Sequence, residues 1–173
     1  MDRQTAGTQI RLIAGLLAVF ALLAASGPLH AAELQGRIVR VIDGDTLSLL
    51  DASRVEHRLR LASIDAPEKA QAFGARAKQA LSDKCFGKEA RATITDHDRY
   101  GREVARVSCE GTDAAEAMVR MGMAWVFRRY AQSSSPLYTV ENEAHEARRG
   151  LWSAPSPVPP WEWRHQASGT AAQ

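Results

Sequence analysis

A small closed β-barrel of five strands, of the OB type, carrying three helices, is the fold class this sequence predicts. Two observations point to it. Five short stretches that read as strands succeed one another between turn signals, and a helical stretch interrupts them after the third, with two more following the fifth. Barrels of this type bind oligonucleotides on one face.

Residues 1–32 stand apart from that fold. Arg3 and Arg11 precede an uncharged apolar run, Leu12 to Ala25, which Ser26-Gly27-Pro28 breaks before the small residues Ala31 and Ala32. This is the layout of a secretory signal peptide, and cleavage after Ala31 or Ala32 both fit. The run falls short of the roughly 20 residues needed to span a bilayer, and retention as an uncleaved anchor is the alternative. An exported protein, periplasmic or secreted, is expected, with no stable membrane association once the segment is gone. Removing Arg3, Arg11 and Asp2 from 22 basic and 20 acidic residues leaves the mature chain near neutral. Attraction to nucleic acid must then come from a local patch. The remaining length suits one domain, read as a barrel over 33–152 and a Pro/Trp-containing tail over 153–173, monomeric by default.

Ile38, Val39, Val41 and Ile42 make Leu34–Ile42 the first strand, Asp43-Gly44 a turn, and Thr46–Leu50 the return strand. In the third, Leu59 and Leu61 share one face while Arg58 and Arg60 share the other. Pro67 ends that element. Alanines and Leu81 predict a helix from Gly74 to Lys84, stopped by Phe86-Gly87. Ala90–Thr95 and Glu103–Cys109 form a hairpin across Asp96–Gly101. Thr112 is the expected cap of a helix ending at Met121, before Gly122. A third helix runs from Ser135-Pro136 to Arg149-Gly150, and Pro155 to Pro160 favours polyproline II.

Cys85 precedes one strand of the hairpin and Cys109 ends the other, so the pairing that brings them together also predicts a disulfide between them. Two buried free thiols are the alternative. His57, His97, His145 and His165 lack paired ligand spacing and are expected at the surface. Trp161 and Trp163 are suited to stacking bases, but packing the tail against the barrel is the favoured role.

The chemistry is concentrated in Asp43-Gly44-Asp45-Thr46, Arg60, Asp65-Ala66-Pro67-Glu68 and Asp98-Arg99-Tyr100-Gly101-Arg102. Three carboxylates (Asp45, Asp65, Glu68) and two arginines (Arg60, Arg102) are a set able to hold one hard cation beside one phosphodiester. Singly, each run is an ordinary turn, loop or surface pair; their combination points to a metal-dependent nuclease. Asp43 is expected in the turn rather than on the metal.

These runs, in this order, resemble the staphylococcal nuclease family. The likeness spans roughly Leu34 to Trp152, and Pro159-Pro160-Trp161-Glu162-Trp163-Arg164 is similar to the tails of exported bacterial members. The resemblance implies a five-stranded OB barrel with three helices, one calcium ion, and hydrolysis of DNA and RNA to 3′-phosphate and 5′-hydroxyl ends. It implies Asp45, Asp65 and the Ala66 carbonyl as calcium ligands, Glu68 as the residue that orients or deprotonates water, and Arg60 and Arg102 as phosphate ligands. Arg99, Tyr100, Arg128 and Tyr130 correspond to nucleotide-binding positions. Arg128 stands where a tyrosine is expected, and the stretch from Glu68 to Gly74 is shorter than in the best-known member. A non-catalytic OB-fold module that binds nucleic acid is the competing reading, and labelled oligonucleotide, cut or retained, discriminates the two.

Overall fold

A computed structural model describes residues 32–170, with side chains to residue 166. The expected export signal therefore falls, but for Ala32, outside the described residues. The strands are β1 (Glu33–Val41), β2 (Thr46–Asp51), β3 (Glu56–Leu61), β4 (Ile64–Asp65), β5 (Glu89–His97), β6 (Glu103–Cys109), β7 (Thr112–Asp113) and β8 (Trp125–Val126). The helices are α1 (Gly74–Cys85), α2 (Ala114–Arg120), α3 (Leu137–Glu146) and α4 (Pro160–Thr170), with a 3₁₀ turn at Gly150–Ser153. No described helix is long and apolar enough to cross a membrane.

The barrel strands lie in the order β3-β2-β1-β5-β6, and β3 closes on β6. The four sequential pairings are antiparallel and the closing one is parallel. Parity requires this: after four reversals the fifth strand runs the same way as the first. β1 serves both neighbours, pairing β5 through Glu33–Arg37 and β2 through Gly36–Val41, with a register shift between Ile38 and Arg40. A second shift lies between Ile94 and Asp96 in β5. Such bulges add the bend a small barrel needs.

Inward positions follow the pleat. Ile38, Leu47, Leu49, Leu59, Leu61, Ala92 and Val107 are buried, whereas Arg58 and Arg60 lie on the opposite face of β3 from its leucines, as expected. Each fully buried leucine contributes about 1.5–3 kcal/mol. α1 adds Ala77 and Leu81, and α2 adds Met118 and Val119, to the same core. Cys85, ending α1, is disulfide-bonded to Cys109, ending β6.

Two expectations need correction, and one pairing is new. Asp113, not Thr112, caps α2: its carboxylate accepts the Glu116 amide at 2.9 Å, while Thr112 pairs with Cys109 in β7. Among the described residues the helices number four rather than three. The Pro159 carbonyl accepts the amides of Glu162 and Trp163, and Pro160 at the first helical position needs no amide partner, so the prolines start α4. The two-stranded pairing of β4 with β8 was not expected. It sets Asp65 opposite Trp125, and two residues per strand are too few to show a period.

Candidate active site

The turn between β1 and β2 is built around its own carboxylates. Asp43 Oδ1 accepts the Asp45 amide at 3.1 Å. A Cβ on Gly44 would lie 2.7 Å from both Ala66 Cβ and Ala77 Cβ, so glycine alone lets the turn approach α1 and Ala66 this closely. Asp45 is then held from three sides. Its carbonyl accepts the Leu61 amide at 2.8 Å. Its Oδ1 accepts the Thr46 hydroxyl and its Oδ2 the Ala66 amide, both at 3.0 Å.

Arg60 lies opposite Thr46 in the β2–β3 register, which carries its guanidinium to the same end of the barrel. Its Nη2 is 2.9 Å from Asp65 Oδ1 and 3.4 Å from Asp45 Oδ2. Its Nη1 donates to the carbonyls of Leu61 and Ile64 at 3.2 and 3.0 Å. One guanidinium thus stands between two buried carboxylates. Burial pushes the Asp65 carboxyl up, and the charge of Asp45 adds to it, against the pull of Arg164 and Arg60. Burial and then Asp45 likewise push Asp43 up.

Asp98 organises the second arginine. Its Oδ1 accepts the amides of Tyr100 and Arg102, and its Oδ2 accepts Arg102 Nε at 2.7 Å. Desolvation raises this carboxyl, but the bonds from the Arg102 amide and side chain outweigh it and hold Asp98 below its ordinary range. Arg102 Nη1 donates to Thr46 Oγ1 at 3.2 Å. Because Thr46 donates onward to Asp45, a hydrogen-bonded chain links Asp98, Arg102, Thr46 and Asp45.

The expected nucleotide-binding residues divide into two groups. Tyr100, 67% exposed, has Arg99 at 4.9 Å and Arg102 at 5.6 Å from its ring centre. Arg128 instead meets Tyr138, at 5.1 Å, and Glu141, at 3.6 Å, rather than the carboxylates above. Tyr130 packs edge-on against Phe127 at 5.0 Å. The Phe127 amide donates to Ser63 O, so this loop adjoins the strand that carries Asp65.

Glu68 follows the stiff Asp-Ala-Pro turn. Its amide donates to Gln71 Oε1 at 3.1 Å, and a Cβ on Gly74 would lie 2.0 Å from its carbonyl oxygen. The start of α1 therefore packs directly on the Glu68 main chain. Glu68 Oε1 and Asp65 Oδ2 each meet a nitrogen of Arg164, at 2.7 Å.

Sequence reasoning missed Arg164, together with the linking role of Thr46 and the orienting role of Asp98. The last two sit inside recognised runs. Arg164 had only the likeness of its tail to announce it. Tail packing itself is observed: Trp161 stacks on Phe127, with ring centres 5.3 Å apart and planes 2° from parallel. One histidine departs from the surface reading, since His57 is held between Asp51 and Glu103, each at 3.2 Å.

Asp45 and Asp65 are anionic oxygen donors within reach of a single guanidinium nitrogen, which is the chemistry of a hard cation site. Among the described residues no three or more His, Cys, Asp or Glu side chains gather closely enough to form a complete cage. A cation at Asp45 and Asp65 would draw its remaining ligands from main-chain oxygen and water, as magnesium and calcium commonly do. The donor set fits such an ion.

The family described as "Staphylococcal nuclease homologue" matches residues 58–154. An "Uncharacterized endonuclease" of Escherichia coli O157:H7 is 43% identical over 142 residues, covering 82% of this chain and 92% of that protein. "Micrococcal nuclease" of Shigella flexneri is 42% identical over 143 residues, covering 77% and 82% respectively. "Protein ParB" of Escherichia coli is 41% identical over 161 residues, covering 87% and 90%.

Proposed function

Because this chain belongs to the staphylococcal nuclease family and is a nuclease that hydrolyses phosphodiester bonds, we propose that it uses one calcium ion. We further propose that it cuts both DNA and RNA, leaving 3′-phosphate and 5′-hydroxyl ends. The observation that supports this reading is the convergence of Arg60 on Asp45 and Asp65, with Arg102 tied to Asp45 through Thr46.

In this reading Asp45, Asp65 and the Ala66 carbonyl hold the cation, which when bound supplies Lewis-acid stabilisation of phosphoryl charge. Arg60 and Arg102 grip the non-bridging oxygens, as forked guanidiniums do. Glu68 orients or deprotonates the attacking water. The water oxygen bonds to phosphorus as its proton passes to Glu68 or to solvent, the P–O5′ bond breaks, and the departing oxygen takes up a proton from solvent. Asp98 and Thr46 set the direction of Arg102 without touching substrate. Tyr100, with Arg99 beside it, offers an exposed ring for a nucleotide. Arg128 and Tyr130, in the loop after β8, form a separate group that is also read as contacting nucleotide.

Residues 1–32 are read as an export signal, which places the mature enzyme in the periplasm or outside the cell. The Cys85–Cys109 disulfide suits that oxidising compartment.

The test is incubation of residues 33–173 with single-stranded DNA, duplex DNA and RNA, with calcium or with a chelator. Calcium-dependent cleavage of all three, leaving 3′-phosphate ends, is expected. Retention of the oligonucleotides without cleavage would overturn the proposal in favour of a binding module.

A further inference from the structure

The start of α4 reaches the candidate site. Gln71 Nε2 donates to the Val158 carbonyl, Pro160 is buried, and Trp161 stacks on Phe127. These contacts fix the start of α4, and Arg164 follows Trp161 three residues later, on the same side of the helix. Its Nη2 lies 2.7 Å from Asp65 Oδ2. Its Nη1 lies 2.7 Å from Glu68 Oε1 and 3.3 Å from Asp65 Oδ1. Arg60 Nη2 donates to Asp65 Oδ1 at 2.9 Å, so both oxygens of Asp65 are committed to guanidiniums. Arg164 lies beyond the segment that the family match covers.

A bidentate guanidinium on a carboxylate is among the stronger side-chain contacts, and it places positive charge where a cation would have to bind. We propose that Arg164 is a built-in competitor of the metal: α4 is a strap whose guanidinium holds Asp65 and Glu68 until a divalent cation displaces it. This inference rests on the reading of Asp65 as a metal ligand and Glu68 as the water-activating residue. While the strap is docked, Asp65 Oδ2 is closed to the ion and Glu68 Oε1 to the water. Displacement frees both together, so metal arrival and water activation are coupled through one side chain. Linkage makes the coupling reciprocal: whatever Arg164 takes from calcium affinity, calcium takes from the docking of α4.

Calcium binding to residues 33–173 is measured by calorimetry without substrate, alongside amide hydrogen exchange in α4. Arg164→Gln is expected to tighten calcium binding on the order of tenfold, within the range usual for coupled sites. Trp161→Ala, which loosens α4 and keeps the guanidinium, moves the affinity in the same direction. Arg106→Gln removes an exposed charge on β6 and controls for net charge; it leaves the affinity near wild type. In the wild type, calcium speeds exchange of the α4 amides. Equal or weaker calcium binding by Arg164→Gln, with the wild type binding normally, overturns the competitor role and leaves the metal reading standing. No calcium binding by the wild type or by either tail variant overturns the metal reading, and the competitor role with it.

Discussion

Replacing Thr46 with valine removes one hydroxyl and little else. The side chain is fully buried at the start of β2, and valine keeps its branched shape and strand preference. Its hydroxyl donates to Asp45 Oδ1 at 3.0 Å and accepts Arg102 Nη1 at 3.2 Å. Both partners are charged, and hydrogen bonds of that kind contribute about 1.5–3 kcal/mol each. Asp45 keeps the Ala66 amide and Arg102 keeps Asp98, so neither charge is stranded. The expected loss of stability is therefore about 2 kcal/mol, nearer one such bond than two. The functional loss should be larger in proportion, because the hydroxyl alone joins the metal-side carboxylate to the phosphate-side arginine. Partners of this indirect kind cost roughly 10–100-fold in metal affinity or activity when removed. Urea unfolding, calcium titration and initial cleavage rates measure the three quantities on one preparation. Thr46→Ser, which retains the hydroxyl, should restore affinity and rate towards wild type. Wild-type calcium affinity and rate in the valine variant would refute the claim that the chain positions Asp45 and Arg102.

Arg60→Ala, Arg102→Ala and Glu68→Ser should each depress cleavage by about 10²–10³-fold or more, the usual consequence of losing one group aimed at developing charge. Circular dichroism should show the fold retained, and wild-type rates in all three variants would dismiss this assignment of the site. Glu141 is buried where it accepts the Val126 amide at 2.7 Å, and burial pushes its carboxyl above the ordinary 4.5. The folded state therefore binds more protons than the unfolded one just above that pH, so stability falls as pH rises through this window. Glu141→Gln, which can still accept the amide, should reduce that slope, leaving the part that Asp43 and Asp65 contribute, and identical pH profiles for the two proteins would refute the assignment to Glu141. Cys85 and Cys109 are 24 residues apart, so losing the bridge should cost about 3–4 kcal/mol in the chain-entropy account. Denaturant midpoints with and without reductant check this.

The barrel was legible in the chain because its signals are local. Alternation in β3 put Leu59 and Leu61 inside and Arg60 on the other face, and Asp43-Gly44 marked the first turn. Motif order carried the reactive residues as far as a parts list, and the Cys85–Cys109 pairing followed from the β5–β6 hairpin. The Thr112 cap failed for a local reason too: Asp113 is an equally good capping residue one step on, and the β7 pairing of Thr112 with Cys109 decided between them.

What the chain could not disclose are contacts without a period or a short range. Ile64–Asp65 and Trp125–Val126 become strands only because Glu141 and the barrel hold them side by side. Thr46 and Arg102 meet across 56 residues, and Arg164 reaches Asp65 across 99. No local preference encodes such encounters. They arise when β3 closes on β6 and the prolines turn α4 back over the site, so that charges far apart in sequence share one end of the barrel.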